Sequence, residues 1–308
     1  MKAAETRSIE LLSPARDADT GIEAIRHGAD AVYIGEPKFG AREAAANSID
    51  DIKRLVDYAH LFNAKVYATL NTILYDNELE EAREMACRLY DIGVEALLGQ
   101  DAAFLEMELP PISLHASTQC DNRTPEKVKR LYEEGFSTAV LARELSIDEI
   151  AEIHRLCPAM RLEAFVHGAL CVSMSGRCYA SLHCFGRSAN RGECAQFCRL
   201  PFDLETENGV KIIEGKHLLS LRDLNRTDFL EQLLDAGVSS LKIEGRLKDT
   251  EYVKNITAWY RKKLDAIFAR RKEYRRASAG KPPVLPSISK PTRRISRDCP
   301  VPSTSAVM

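Results

Sequence analysis

The chain has 308 residues, of which 29% are charged, and its formal net charge is −2. A chain of this length can bury a full core in one large domain. The near balance of charge excludes a global field that would draw the protein to nucleic acid or to a membrane. No apolar run reaches the roughly 18 residues that a membrane span needs. The opening MKAAETRSIELLSPARD also lacks the apolar stretch of a signal peptide. We therefore expect a soluble, cytoplasmic protein.

Short apolar strands alternate with amphipathic helices along the chain. Strands are predicted at 9–15, 30–35, 65–71, 95–101, 112–118, 137–143, 161–168 and 238–246. Helices are predicted up to about His27 and then at 48–62, 77–93, 124–134, 146–156 and 250–271. Ser48 or Asp50 is expected to cap the second helix. Eight strands alternating with helices are typical of an α/β fold, and they predict a (β/α)₈ TIM-like barrel.

The connection after the seventh strand departs from this repeat. It carries a cysteine-rich insertion at about 169–220, and Asn208-Gly209 predicts a β-hairpin within it. We assign 1–276 to the barrel with its insertion. Residues 277–308 are rich in Pro, Ser and Arg and have no apolar period, so they predict a disordered basic tail.

Five of the nine cysteines lie in this insertion: Cys171, Cys178, Cys184, Cys194 and Cys198. Thiolates gathered this closely can form a metal or iron–sulfur ligand set, a disulfide staple or a redox relay. Without an export signal the compartment is reducing, and clustered thiols there more often bind metal than cross-link. The sequence therefore favours a metal or iron–sulfur site.

Polar side chains alternate with apolar ones on four predicted strands. The polar faces carry Tyr67, Thr69, Asn71, Ser113, His115, Ser117, Arg161, Glu163, Phe165, His167, Lys242, Glu244 and Arg246. The opposite faces must meet the apolar outer helices, so we expect the polar faces to point into the barrel. Barrel interiors are ordinarily filled by branched apolar residues, so a charged interior indicates a ligand site. The alternative is a buried ion-pair network that binds nothing.

The segment EAFVHGALCVSMSGRCYAS (163–181) resembles the signature of the collagenase-like peptidase family. The likeness extends through NRGECAQFCR (190–199), HLLSLRDLN (217–225) and SSLKIEGRLKDTEYVKNI (239–256), and through ELLSPARD and LHASTQCDNRTPEKV nearer the start. The family is named for proteolysis. Several of its members are oxygen-independent hydroxylation proteins that act on transfer RNA, ribosomal RNA or ubiquinone. The sequence of these segments is similar to that of a family member that hydroxylates ribosomal RNA and to that of a short bacterial collagenase.

The resemblance implies a [4Fe–4S] cluster held by Cys171, Cys178, Cys194 and Cys198, with Cys184 as a bystander. Four thiolates match the four irons of a cubane cluster. Zinc is the competing metal, since four thiolates also suit a tetrahedral site. The spacing lacks the paired Cys-x₂-Cys of common zinc modules, which favours iron–sulfur. The resemblance also implies prephenate as a co-substrate of the RNA-modifying members.

We therefore predict an enzyme for oxygen-independent, prephenate-dependent hydroxylation of an RNA base. Arg143, Lys242 and Arg246 are predicted to hold prephenate or a similar small dicarboxylate, because guanidinium groups pair bidentately with carboxylates. The candidates for proton transfer are Glu163, His167, His115 and Glu244. RNA is the expected macromolecular partner.

A peptidase that degrades collagen is the alternative function. The chain has neither a G-x-S-x-G elbow nor an H-E-x-x-H helix. Cys171 or Cys178 with His167 could act as nucleophile and base, but one activated cysteine does not explain four. A third alternative is a cluster-bearing RNA-binding or scaffold protein without catalysis. Whether the inward charged face binds a small carboxylate would distinguish it.

Overall fold

The structure is a computed structural model that describes residues 6–36, 38–40 and 47–278. The strands are β1 (Arg7–Ala15), β2 (Ala31–Gly35), β3 (Lys65–Leu70), β4 (Ala96–Gly99), β5 (Ser113–Ala116), β6 (Thr138–Val140), β7 (Arg161–Gly168), β8 (Phe202–Glu205), β9 (Lys211–Lys216), β10 (Leu224–Asn225), β11 (Val238–Ile243) and β12 (Tyr274–Arg276). The α-helices are α1 (Ala18–Arg26), α2 (Ile49–His60), α3 (Leu79–Asp91), α4 (Ala103–Glu106), α5 (Pro125–Glu134), α6 (Ile147–Leu156), α7 (Ala180–Phe185), α8 (Leu230–Asp235) and α9 (Thr250–Arg270).

Parallel strands close into a barrel. Strands β1 to β7 pair in chain order, and β11 completes the ring between β7 and β1. Leu241 of β11 lies beside Ala164 of β7 on one side and beside Leu11 of β1 on the other. The six predicted helices are present, whereas α4 after β4 and α8 before β11 were not predicted. The (β/α)₈ TIM-like barrel is confirmed.

Side-chain caps begin several of the helices, and one of them was predicted. Ser48 rather than Asp50 caps α2, and its hydroxyl accepts a hydrogen bond from the backbone N–H of Asp51 at 3.1 Å. Asp249 caps α9 by accepting from the N–H of Tyr252 at 2.7 Å. Such caps satisfy backbone donors that the first helical turn leaves unpaired.

Two apolar regions stabilise the fold. The larger lies between the outside of the barrel and the helices. The smaller lies inside the barrel and is formed by Leu12, Ala31, Tyr33, Tyr67, Ala96, Leu98, Val140 and Phe165. Aromatic rings therefore occupy some of the interior space that branched aliphatic residues usually fill.

The insertion after β7 contains the predicted hairpin. Strands β8 and β9 pair antiparallel, with Leu204 opposite Ile213. Gly209 turns the chain between them at a φ of 75°, a left-handed conformation that favours glycine. The helix α7 and the short strand β10, which pairs antiparallel with the end of β7, were not predicted.

The described chain runs two residues into the predicted tail. The N–H of Ala277 donates to the carbonyl oxygen of Ile9 at 3.0 Å, and the Ser278 hydroxyl donates to Asp30 at 2.6 Å. Residues 279–308 lie outside the described residues, so the disordered tail stays a prediction. Among the helices of the described ranges, none has both the length and the hydropathy of a membrane span.

Candidate active site

A pocket opens at the carboxyl-terminal end of the barrel. It encloses about 420 Å³, counting the space open to solvent at its mouth. Its lining residues are Tyr33, Thr69, Asn71, Leu98, Ser117, Thr118, Gln119, Val140, Arg143, Phe165, Lys242, Glu244 and Arg246. The structure therefore brings together all three residues that we predicted to bind a carboxylate, and Glu244 with them. In TIM-like barrels this end carries the active site.

The two guanidinium groups of the pocket are held in different ways. Arg143 stacks on Phe165, with its guanidinium carbon 4.2 Å from the ring centroid, and its Nη2 lies 3.8 Å from Oε2 of Glu244. Its Nε is buried without a hydrogen-bond partner among the described residues. Arg246 donates from Nη1 to the Thr69 hydroxyl at 2.7 Å. Together with Lys242, these cations outnumber the single carboxylate of the lining.

Lys242 lies deeper in the barrel than the arginines. Its Nζ donates to Oε1 of Glu163 at 2.7 Å and lies 4.3 Å from the ring centroid of Tyr33. Burial lowers the pKa of Lys242, whereas Glu163 and Glu244 act to raise it. Glu163 is fully buried and does not line the pocket. It therefore acts on the pocket through Lys242.

A second charged group lies inside the barrel beside this pair. Glu10 accepts a hydrogen bond from the Tyr67 hydroxyl at 2.7 Å and lies 3.1 Å from Nη2 of Arg161. The Ser240 hydroxyl lies 2.8 Å from Glu10 and 3.1 Å from Glu163, so it links the two carboxylates. Burial would raise the pKa of Glu10, but Arg161 and these hydrogen bonds outweigh it and lower the pKa.

Glu10 is an interior charge that the sequence analysis missed. It is the only acidic residue of β1 and stands among apolar neighbours, so no alternating polar face marks that strand. One signal could have revealed it. Glu10 lies two residues before Leu12, which faces the barrel interior, and residues two apart on a strand share a face.

His115 lies inside the barrel but does not line the pocket. Its ring packs edge-on against Tyr67, with the centroids 4.9 Å apart. Burial and the nearby Arg161 lower the pKa of His115 to about 3. The imidazole is therefore neutral at neutral pH.

His167 faces the helix layer instead of the pocket. The pairing of β7 with β11 shifts register so that Lys242 lies beside Phe165 and Ile243 beside His167. This bulge ends the two-residue alternation, and the expectation that His167 points inward is wrong. Its Nδ1 lies 3.3 Å from the Tyr260 hydroxyl of α9. Burial lowers the pKa of His167 to about 4.

The cysteine-rich insertion packs over the mouth of the barrel. The backbone N–H and the hydroxyl of Ser175 both donate to Glu144, at 3.0 and 2.9 Å, in the connection after β6. Gly176 has a φ of 75°, and a Cβ there would lie 2.2 Å from the carbonyl oxygen of Gln119. Only glycine allows this approach. Because Gln119 lines the pocket, the insertion abuts it.

Three of the predicted cluster ligands, Cys171, Cys194 and Cys178, lie close enough to the fourth, Cys198, to affect its ionisation. Burial raises the pKa of Cys198, Arg199 lowers it, and the three thiols raise it. Cys184 is exposed and is not among these thiols. Within the described residues no group of three or more His, Cys, Asp or Glu side chains surrounds a single metal-ion position. The donor set of four neighbouring thiols fits the ligand chemistry of a [4Fe–4S] cluster.

Arg199 ties the segment around the thiols together. Its guanidinium donates to the carbonyl oxygens of Leu170 and Leu221, the latter at 3.1 Å. Leu170 precedes Cys171, and Arg199 follows Cys198, so this arginine joins the two ends of the thiol-bearing segment. The eight described cysteines form no disulfide.

The fold and the site define an α/β barrel with a cation-lined pocket at its mouth and a thiol-rich insertion beside it. The family model described as peptidase family U32 matches residues 16–289, and the chain belongs to this family. The solved structure of the U32 peptidase Mk0906 is similar to it, with a TM-score of 0.50 and 13% sequence identity. The match covers 80% of this chain and 96% of that one, and it supports the fold.

Relatives of this chain are named for different activities. The chain is 55% identical over 292 residues to the 23S rRNA 5-hydroxycytidine C2501 synthase of Escherichia coli, a match that covers 94% of this chain and 45% of the relative. It is 34% identical to the tRNA hydroxylation protein P1 of Bacillus subtilis, covering 86% and 65% of the two chains. It is 33% identical to a collagenase of Porphyromonas gingivalis, covering 83% and 66%. The chain thus spans about half to two thirds of these relatives.

Proposed function

We propose that this chain is an enzyme for oxygen-independent hydroxylation of a base in ribosomal or transfer RNA. A [4Fe–4S] cluster on Cys171, Cys178, Cys194 and Cys198 and prephenate as co-substrate belong to the proposal, as does a cytoplasmic location. Two of the relatives described above are named for RNA hydroxylation. The observation that carries the proposal is a pocket lined by three cations and abutted by an insertion with four neighbouring thiols.

The pocket suits a small dicarboxylate that carries a ring. Arg143 and Arg246 can each pair with a carboxylate through two N–H groups, and Lys242 adds a third positive charge. The buried Arg143 Nε lacks a partner within the described chain, and a bound anion would satisfy it. Leu98, Val140 and Phe165 form an apolar wall. Prephenate has two carboxylates and a six-membered carbon ring, which matches this lining.

The acidic and imidazole groups take separate roles in the proposal. Glu244 is the carboxylate of the described pocket lining, so it is the leading candidate for moving a proton at the mouth. Glu163 holds Lys242 in place from beneath. The proton-transfer roles of His115 and His167 stay predictions, and both groups lie outside the lining. A bound cluster would supply one-electron redox chemistry.

A collagen peptidase is the alternative, and it is favoured by the name of the Porphyromonas relative. Its catalytic pair would be Cys171 or Cys178 with His167. The rings that contact His167 belong to Tyr252 and Tyr260 of α9. A cysteine nucleophile needs a base within hydrogen-bond reach, so this packing favours the hydroxylation proposal.

Nucleoside mass spectrometry of cellular RNA tests the proposal. The chain would be expressed in bacteria that lack their own 23S rRNA C2501 hydroxylating enzyme, beside the variants Cys198→Ala and Arg246→Met. With the wild type, we expect a nucleoside that has gained one oxygen atom. With either variant, we expect this nucleoside to be absent. RNA that is identical with and without the wild-type protein would overturn the proposal.

A further inference from the structure

The insertion exposes three large side chains along α7. Tyr179, which caps α7, and Leu182 and Phe185 within it are 62%, 48% and 54% exposed. Residues three apart on a helix are neighbours, so Leu182 lies between the other two. Exposed apolar groups gathered in this way mark interaction sites more often than scattered ones do. We call these three residues and the adjacent Arg187 the α7 face.

Arginine is the main charged residue of the segment that contains the α7 face. Residues 169–200 contain four arginines, no lysine and one glutamate. Arg187 is exposed and has no ion-pair partner within the described chain. Two other arginines of the segment are paired, Arg177 with Asp121 at 2.5 Å and Arg191 with Glu78 at 2.8 Å. The uncompensated charge of Arg187 beside exposed rings can attract a polyanion that also presents flat apolar surfaces.

The α7 face also lies next to the proposed cluster ligands. Tyr179 directly follows Cys178 in the chain. Phe185 packs against Phe197, with ring centroids 5.4 Å apart, and Phe197 directly precedes Cys198. A nucleotide strand held on this face would therefore be close to both the thiols and the pocket that the insertion abuts.

We propose that the α7 face binds single-stranded RNA, with unpaired bases stacked on Tyr179 and Phe185 and a phosphate paired with Arg187. This inference rests on the proposed function and specifies how the RNA is held. Proteins read RNA mainly where its bases are unstacked, and aromatic side chains replace the lost base stacking. Arginine adds charge and can itself stack.

Fluorescence anisotropy with a labelled RNA tests the inference. The probe is a single strand of about 15 nucleotides, compared with a duplex of the same length. The protein is purified anaerobically with its bound metal retained. We expect Tyr179→Leu, which keeps apolar bulk but removes the ring, to weaken binding of the single strand roughly 5- to 100-fold. Tyr179→Phe keeps the ring and should bind as the wild type does.

Two further variants complete the test. Tyr132→Leu removes a tyrosine of similar exposure, 45%, from the outer helix α5 and should leave RNA binding unchanged. Arg187→Gln should weaken binding and reduce the slope of log affinity against log salt by about 0.7, the value for one phosphate contact on a single strand. The iron content of each variant is compared with that of the wild type. If Tyr179→Leu changes the iron content, the result with Arg187→Gln decides the test.

Wild-type RNA affinity in both Tyr179→Leu and Arg187→Gln would overturn the inference. It would also be overturned if these variants lost self-association of the protein and not RNA binding. The two proposals can fail separately. Hydroxylated nucleoside formed by a protein whose α7 variants bind RNA normally would refute only the RNA surface. RNA binding that depends on the α7 face, without any hydroxylated nucleoside, would refute only the proposed reaction.

Discussion

Lys242 and Glu163 form an ion pair inside the barrel, with Nζ 2.7 Å from Oε1 and both side chains almost wholly buried. Lys242 lines the pocket and Glu163 does not. Removing one member of a buried pair leaves an uncompensated charge and typically costs about 3–5 kcal/mol. The positive charge that Lys242 offers to a ligand therefore depends on a carboxylate that the ligand does not reach.

Glu163→Gln should make carboxylate binding sensitive to pH. Glu163 raises the pKa of Lys242 against the effect of burial, so its loss lowers that pKa further. The lysine then loses its proton at a lower pH than in the wild type, so prephenate binding should weaken as the pH rises over a range in which wild-type binding stays constant. Calorimetric titration at several pH values measures this. Lys242→Met is the control, with weak binding at every pH. A wild-type profile in Glu163→Gln would contradict the prediction.

Arg246→Met should weaken prephenate binding without unfolding the barrel. Hydrogen bonds to charged groups contribute about 1.5–3 kcal/mol, so we expect at least a tenfold loss of affinity. Methionine keeps much of the apolar stem. Circular dichroism checks the fold, and calorimetry measures the affinity. Unfolding of this variant, with unchanged affinity in the protein that survives, would instead favour a purely structural ion-pair network.

The four neighbouring thiols should behave as one unit. Replacement of Cys171, Cys178, Cys194 or Cys198 by Ala removes a proposed ligand, and each variant should lose iron and acid-labile sulfide after anaerobic purification. Cys184→Ala is the matched control because this exposed thiol lies in the same insertion. Iron loss in Cys184→Ala, with iron retained in Cys198→Ala, would show that the ligand assignment is wrong.

His115 should make the fold sensitive to acid. Its pKa is about 3 in the folded protein, below the usual value near 6.5 of the unfolded chain. The unfolded state therefore binds the proton first, and stability present above pH 6.5 is lost as the pH falls from there toward 3. At pH 5 the loss is about 2 kcal/mol. Urea unfolding of wild type and His115→Gln at pH 7 and pH 5 measures it. Equal losses in the two proteins would contradict this.

Collagen cleavage should not depend on the proposed site. We expect purified protein with its metal retained to cleave collagen no faster than a variant that lacks His167 and the four ligand cysteines. Release of labelled peptides from collagen measures the rate. Reproducible cleavage that disappears on His167→Ala or on a single cysteine substitution would make the peptidase the leading function.

The barrel followed from the sequence because its strands and helices have different periods. The two-residue alternation of β11 correctly placed Lys242 in the pocket lining. The same rule failed at His167, because a bulge depends on how β7 pairs with a distant strand and has no local signal. Glu10 was not predicted for a related reason. Its partners Tyr67, Arg161 and Ser240 come from three other strands and contact it only when the barrel closes.

The insertion was the least predictable part of the site. The spacing of its cysteines indicated a common site, and the electrostatic effect of three thiols on Cys198 is consistent with that. The helix α7 was missed because it has six residues, too few for a helical period to be recognised. Its position depends on contacts such as that of Gly176 with Gln119, which are distant in sequence.

An anaerobic reaction with defined components tests the proposed chemistry most directly. Protein with its cluster intact is incubated with unmodified RNA, with and without prephenate, and the nucleosides are analysed by mass spectrometry. We expect a nucleoside with one added oxygen atom only when prephenate is present, and none with Arg246→Met or Cys198→Ala. No hydroxylated nucleoside with the complete mixture, or an equal yield without prephenate, would contradict the proposed role of the cation-lined pocket.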